Sequence, residues 1–125
     1  MRTGLAAKRG LPIRGVQLAS LAQEETSIAI TPAIWKLMKR HELSRDDVDV
    51  WELHEAYAET TLYNQAQLET PWETTNINGG AVAFGQPYGM SGIRYLGSTL
   101  MELGRRGKKK AVVGVCTASG MAPAA

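Results

Sequence analysis

The sequence has a single cysteine, Cys116, in 125 residues, so no disulfide within the chain is possible. A lone thiol fits a reducing compartment, and a cytoplasmic location is expected. Net charge is also nearly lacking: 14 Lys and Arg stand against 12 Asp and Glu, for a formal +2. The small basic excess sits in "GRRGKKK", Gly104 to Lys110, and no aromatic residue interleaves it. That run reads as a solvated helix-to-strand loop rather than a phosphate patch or a stacking platform for single strands. No nucleic-acid partner is expected. No apolar run is long enough to span a bilayer, and "MRTGLAAKRG" lacks the apolar stretch of a signal peptide. No membrane partner and no metal are expected. What remains is an ordinary apolar fraction, 44%, in a length that suits one compact domain with its own core.

The periodicities alternate between strand and helix. "LPIRGVQLAS" alternates imperfectly at Ile13, Val16, Leu18 and Ser20, which predicts a strand kinked at Gly15. In "TPAIWKLMKRHEL", Thr31 is the expected N-cap, Pro32 the first helical residue, and Ile34, Leu37 and Met38 the apolar face. His41 on that helix is expected at the surface. "SRDD", Ser44 to Asp47, has capping-box spacing and predicts one turn. "VDVWEL" alternates as a strand, and "HEAYAETTLYNQAQLE" follows as a helix whose small and apolar positions are Ala56, Ala58, Leu62, Ala66 and Leu68. "TPWETT" is a loop. "SGIRYLGSTLMEL" is a helix with Ser91 as N-cap and Ile93, Leu96, Leu100 and Leu103 on its face. "KKKAVVGVCTASG" is a buried strand running into a small-residue loop. Residues 2 to 9 predict a short helix or helix end stopped at Gly10. The order implies an α/β fold with helices covering a sheet.

Three stretches carry candidate chemistry, each at a hand-over between elements. "NGGAVAFGQPYGMSG", Asn78 to Gly92, packs five glycines around Gln86. It reads as a phosphate cradle at a helix start, as a tight turn, or as a loop kept bare so that an acyl group reaches the backbone. Cys116 ends an apolar strand, either as a small buried core residue or as an acid/base or nucleophilic thiol. His54 and Glu55 lie where a strand becomes a helix. They are either a capping pair or polar groups aimed at a cleft at the carboxyl end of a strand.

Together these blocks resemble the C-terminal half of the thiolase family. The family carries Asn-Glu-Ala-Phe-Ala, then Asn-x-x-Gly-Gly-Ala-x-Ala-x-Gly-His-Pro-x-Gly-x-Ser/Thr-Gly, then Cys-x-Gly-Gly-Gly after a short strand. Here the same order reads "HEAYA" (His54 to Ala58), "NINGGAVAFGQPYGMSG" (Asn76 to Gly92) and "CTASG" (Cys116 to Gly120). The resemblance implies a thiolase-like C-terminal domain, a mixed sheet covered by helices, over residues 13–125. Residues 1–12 would be the end of a linker or helix from an N-terminal half. The closing strand that the family adds is expected to be missing after Ala125.

The resemblance also implies a chemistry. Cys116 would be the acid/base on the α-carbon of a coenzyme A thioester, which is a substrate, so that no cofactor is needed. His54, where the family has Asn or His, would help hold an oxyanion hole. Asn78, Gly79, Gly85, Pro87, Gly89, Ala118 and Gly120 would line the acyl-thioester site. Gln86 stands where the family has the His that activates a nucleophilic Cys, and that Cys belongs to the N-terminal half. An amide donates a hydrogen bond but has no usable basicity. Ala118 and Ser119 replace glycines of the last block. The expected function is the C-terminal half of an acyl-CoA acyltransferase, inactive alone, or else a non-catalytic thiolase-like partner subunit. The expected partners are acyl-CoA or CoA, an N-terminal half or subunit, and further copies in an oligomer.

Overall fold

A computed structural model describes residues 12–125; the helix expected over residues 2 to 9 lies outside them. Four strands form one mixed sheet: β1 (Gln17–Ser20), β2 (Val50–Leu53), β3 (Ala111–Gly114) and β4 (Met121–Ala124). Their spatial order is β1-β4-β3-β2. β4 pairs antiparallel with both β1 and β3, whereas β2 and β3 run parallel, Val50 opposite Ala111 and Leu53 opposite Gly114. The four helices are α1 (Ile30–Arg40), α2 (Ala58–Leu68), the single turn α3 (Ala81–Phe84) and α4 (Ser91–Arg106). The α/β class and mixed sheet therefore match the reading of the sequence. No strand was expected beyond Cys116, yet the four residues of β4 form one inside the sheet. The sheet remains open at β1 and β2.

The core lies between the sheet and α1. Ile30, Ala33, Ile34 and Leu37 recur at helical spacing and are buried against Trp51, Leu53, Val112, Ala122 and Ala124. Burying each of the larger aliphatic side chains is worth about 1.5–3 kcal/mol. Gly114 sets how close α1 comes: a Cβ there would stand 2.6 Å from Ile30 Cγ2 and 2.9 Å from Ile34 Cδ1. Helix α1 begins two residues earlier than expected, with Ala29 at the cap. Thr31 instead lies inside the first turn, and its N–H and hydroxyl both donate to Asn64 Oδ1, at 3.0 and 2.8 Å. Pro32 is still in the first turn, where its missing N–H donor costs no intrahelical bond. His41 is half-buried rather than exposed: a Cβ on Gly15 would lie 2.2 Å from its Nε2.

Two helices turn a different face inward from the one their apolar residues mark. On α2, Ala58, Leu62 and Ala66 face out, while Thr60, Thr61, Asn64 and Gln65 are buried with Leu68. Of this polar face Asn64 is fully used, its amide donating to Ser27 O and Thr60 O at 2.8 and 2.6 Å, whereas Thr60 Oγ1, Thr61 Oγ1 and Gln65 Oε1 have no partner among the described residues. On α4, Ile93 is exposed and the buried residues are Ser91, Tyr95, Thr99, Glu102 and Leu103. Ser91 is the first helical residue rather than the cap, and its hydroxyl donates to Pro87 O at 3.1 Å. Strand β2 does not alternate in burial; all four residues are covered, because α1 and α4 pack on opposite faces of the sheet. Trp51 and Leu53 point to α1, and Glu52 and His54 therefore point to α4.

Candidate functional site

The parallel pair β2–β3 ends in His54 and Cys116. The two residues are 62 apart in sequence, and the sheet register brings them together: His54 N donates to Gly114 O at 2.9 Å. Cys116 Sγ lies 3.4 Å from His54 Nδ1, and the same nitrogen is 3.2 Å from the Cys116 carbonyl oxygen. Both side chains are buried. Burial pushes the imidazole's proton affinity down and the thiol's up, so the pair is neutral near pH 7. Two tautomers fit. A proton on Nδ1 serves the Cys116 carbonyl and leaves Nε2 an acceptor. A proton on Nε2 makes that edge a donor and lets Nδ1 accept from the thiol.

Nε2 is buried and has no hydrogen bond of acceptable geometry among the described residues. The Gln86 side chain is close enough to act on the ring as a hydrogen-bonding group, opposing the effect of burial. Gln86 itself is exposed, as is the whole run from Val82 to Met90. Among the other candidates, Asn78 donates weakly to Glu102 Oε2, at 3.4 Å. Gly79, Gly85 and Gly89 have φ of +82°, +80° and +76°, the left-handed region where glycine carries no Cβ penalty. Pro87 O accepts from Met90 N and Ser91 N, both at 3.2 Å, which starts α4. Ala118 is exposed in the loop after Cys116. Gly120 is buried against β1's end, where a Cβ would stand 2.3 Å from Leu21 O, so its lack of a side chain is a packing requirement.

Three polar residues hold this loop: Glu55, read from the sequence as a capping or cleft-facing group, and Asn76 and Arg94, to which the sequence reading gave no role. Glu55 Oε1 accepts from Asn76 Nδ2 at 2.9 Å and Oε2 from Val82 N at 2.8 Å. Asn76 in turn extends the edge of β2, its Oδ1 accepting from Leu53 N and its Nδ2 donating to Leu53 O. Arg94, in the first turn of α4, donates from Nη1 to Gly85 O at 2.9 Å. Tyr95 packs beside His54 with ring centroids 5.5 Å apart. Glu52 is buried on the same face and is pushed up to about 7 by burial and by the Glu55 charge. The basic run starts in the last turn of α4 and continues as a loop to β3, with most of its charges engaged: Arg105 and Arg106 donate to Glu102, Lys108 pairs with Asp49 and Lys110 with Asp47.

A thiol and an imidazole thus share one edge of a mixed sheet that helices cover, next to a glycine-rich loop, in an α/β domain. Residues 9–125 match the family model described as "Thiolase, C-terminal domain". The chain belongs to the thiolase family. It is 38% identical to a peroxisomal 3-ketoacyl CoA thiolase 1 of Petunia hybrida, over all of this chain but only 28% of the relative. A Bacillus anthracis acetyl-CoA acetyltransferase superposes with a TM-score of 0.86 at 33% identity, over 88% of this chain and 28% of that one. A human mitochondrial 3-ketoacyl-CoA thiolase in complex with CoA superposes with a TM-score of 0.85 at 36% identity, with the same coverage of each chain. The chain thus spans less than a third of the length of these relatives. Among the described residues, no helix is long and apolar enough to cross a membrane.

Proposed function

We propose that this chain supplies the C-terminal half of a thiolase-type acyl-CoA acyltransferase, making or cleaving 3-oxoacyl-CoA together with an N-terminal half that carries the nucleophilic cysteine. The observation that supports this most is the 3.4 Å contact between Cys116 Sγ and His54 Nδ1 at the ends of neighbouring parallel strands. In this reading Cys116 exchanges the proton on the α-carbon of acetyl-CoA. His54, with its proton on Nε2, donates to the thioester oxygen as the enolate forms. The bare loop from Gly85 to Gly89, with Asn78, Gly79, Pro87, Ala118 and Gly120 around it, leaves space for the acyl group. Coenzyme A enters as substrate and no further cofactor is invoked. Val82, Phe84, Ile93 and Met101 are exposed apolar side chains on α3 and α4; they suit an interface with the N-terminal half or with further copies. Residues 13–125 would be the domain and 1–12 the end of the connection to the other half. A cytoplasmic location belongs to the same reading, although the relatives are named peroxisomal and mitochondrial.

Gln86 favours a second reading, a thiolase-like partner subunit without turnover. It replaces the base that would activate the nucleophile, and general-base assistance is worth about a hundredfold to ten-thousandfold. One experiment separates the two. The chain is combined with an N-terminal thiolase half, and the burst of acyl-enzyme is followed for wild type and Gln86→His. A slow burst in wild type that Gln86→His accelerates supports the acyltransferase. A fast wild-type burst that the substitution slows makes Gln86 the tuned residue and moves the base to His54. No burst in either form favours the partner subunit.

A further inference from the structure

Arg94 is placed against the local electrostatics. It lies in the first turn of α4, where the helix dipole disfavours a cation by about 0.3–1 kcal/mol. None of the ion pairs among the described residues involves it. One guanidinium nitrogen, Nη2, is buried with no partner. Two contacts account for its position. Nη1 donates to the carbonyl of Gly85, the residue before Gln86. Its Cζ lies 5.0 Å from the centroid of the Tyr95 ring, within cation–π range. Tyr95 in turn packs against His54 at 5.5 Å with the planes inclined by 49°. One side chain therefore touches the loop that carries Gln86 and the ring that backs His54.

We propose that Arg94 is a positioning residue of this site, clamping the Gly85 carbonyl so that the adjoining Gln86 is held beside the packed rings of Tyr95 and His54. The role rests on the thiolase reading of His54 and Gln86, but the geometry and its test do not pass through acyl transfer. Around His54 the charged or titratable groups are Cys116 from the strand end, Arg94 and Tyr95 from α4, and Glu52 and Glu55 from its own strand. Of the charged groups that act on the ring, Arg94 lowers its proton affinity and Glu55 raises it. Removing the arginine therefore moves His54 toward the imidazolium.

The test uses the full chain in solution. With only two histidines in the sequence, the ring nitrogens of His54 are resolved by long-range proton–nitrogen spectra across a pH titration. Backbone relaxation reports the order of Gln86. In wild type, Gln86 should have an order parameter near the rigid value of about 0.85 rather than below about 0.6. Arg94→Met should lower that order and shift the His54 midpoint upward. Arg94→Lys keeps the charge without the planar fork, so it should loosen Gln86 while leaving His54 near its wild-type midpoint. A purely structural arginine would lower the melting temperature of both variants without this split. A mobile Gln86 in wild type would overturn the proposal without any variant. So would an Arg94→Met chain that melts cooperatively with His54 and Gln86 unmoved. If the split appears but the reconstituted pair shows no acyl-enzyme, the acyltransferase reading fails and the clamp stands.

Discussion

Gly80→Ala tests what holds the glycine loop. Gly80 has φ −109° and ψ −157°, an extended conformation that alanine adopts freely, so no backbone strain enters. The added Cβ would lie 2.2 Å from Glu55 Cδ and 2.4 and 2.7 Å from its two oxygens. The carboxylate must leave. With it go the bonds to Asn76 Nδ2 and Val82 N, at 2.9 and 2.8 Å. Hydrogen bonds to a charged group contribute about 1.5–3 kcal/mol each. Glu55 is half-buried, so water recovers part of this and the expected loss is about 2–4 kcal/mol. Urea unfolding followed by circular dichroism measures it as a fall in midpoint at constant slope. The mechanism makes a sharper demand in a double-mutant cycle. In a Glu55→Ala background the obstacle is gone, and Gly80→Ala should then cost less than about 0.5 kcal/mol. Equal costs in both backgrounds would refute the steric argument, and a cost near zero in wild type would show that the carboxylate moves without penalty.

Ser119→Gly should stabilise the chain by about 1 kcal/mol, because Ser119 holds a left-handed φ of +64° and its neighbourhood is open to solvent; a lower urea midpoint would contradict this. Glu52 is raised from the ordinary 4.5 to about 7, so ionising it costs about 3 kcal/mol more in the fold than in the unfolded chain. That penalty is absent below the unfolded value, grows as pH rises from 4.5 toward 7, and is then constant. Glu52→Gln should therefore flatten the fall in stability between pH 5 and pH 8, and an unchanged slope would exclude Glu52 as its source. Glu102 has the opposite sign: its bonds from Arg105 and Arg106 hold it down at about 2, and that stabilisation is lost as pH falls toward this value.

How much of this was legible in the sequence depended on the distance over which each residue acts. Elements set by neighbours were readable. The Ser44–Asp47 turn formed as its spacing implies, with Asp47 Oδ2 accepting from Ser44 N at 3.0 Å. The long motif from Asn76 to Gly92 carried the family because its residues are consecutive. The meeting of His54 and Cys116 followed from a topological rule, that polar groups at the carboxyl ends of adjacent parallel strands share an edge. Helix facing failed where a second surface competes. Period 3.6 shows that α4 is amphipathic, but Ile93 marks a stripe that the sheet does not cover, while Tyr95, Thr99 and Glu102 turn inward. On α2 the buried stripe is polar, and Asn64 finds its partners 33 and 37 residues away, beyond the reach of any local pattern.

The glycines show why a motif read as one signal can have several causes. Gly79, Gly85 and Gly89 are required by positive φ, Gly80 by the Glu55 carboxylate, and Gly114 by the approach of α1. Neither Gly85 nor Gly89 has any atom within 4 Å of where a Cβ would be. At these two positions, beside Gln86 and Pro87, the fold itself requires only the backbone angle, and the space is left for something else. Gly80, by contrast, is fully used by the protein. The loop is therefore divided: its first half is packed against Glu55 and the end of β2, and its second half is held open, with Arg94 gripping the carbonyl at the boundary. A loop that is merely a tight turn has no need of that division; under the acyltransferase proposed above, the open half is where an acyl group would approach the thiol and imidazole.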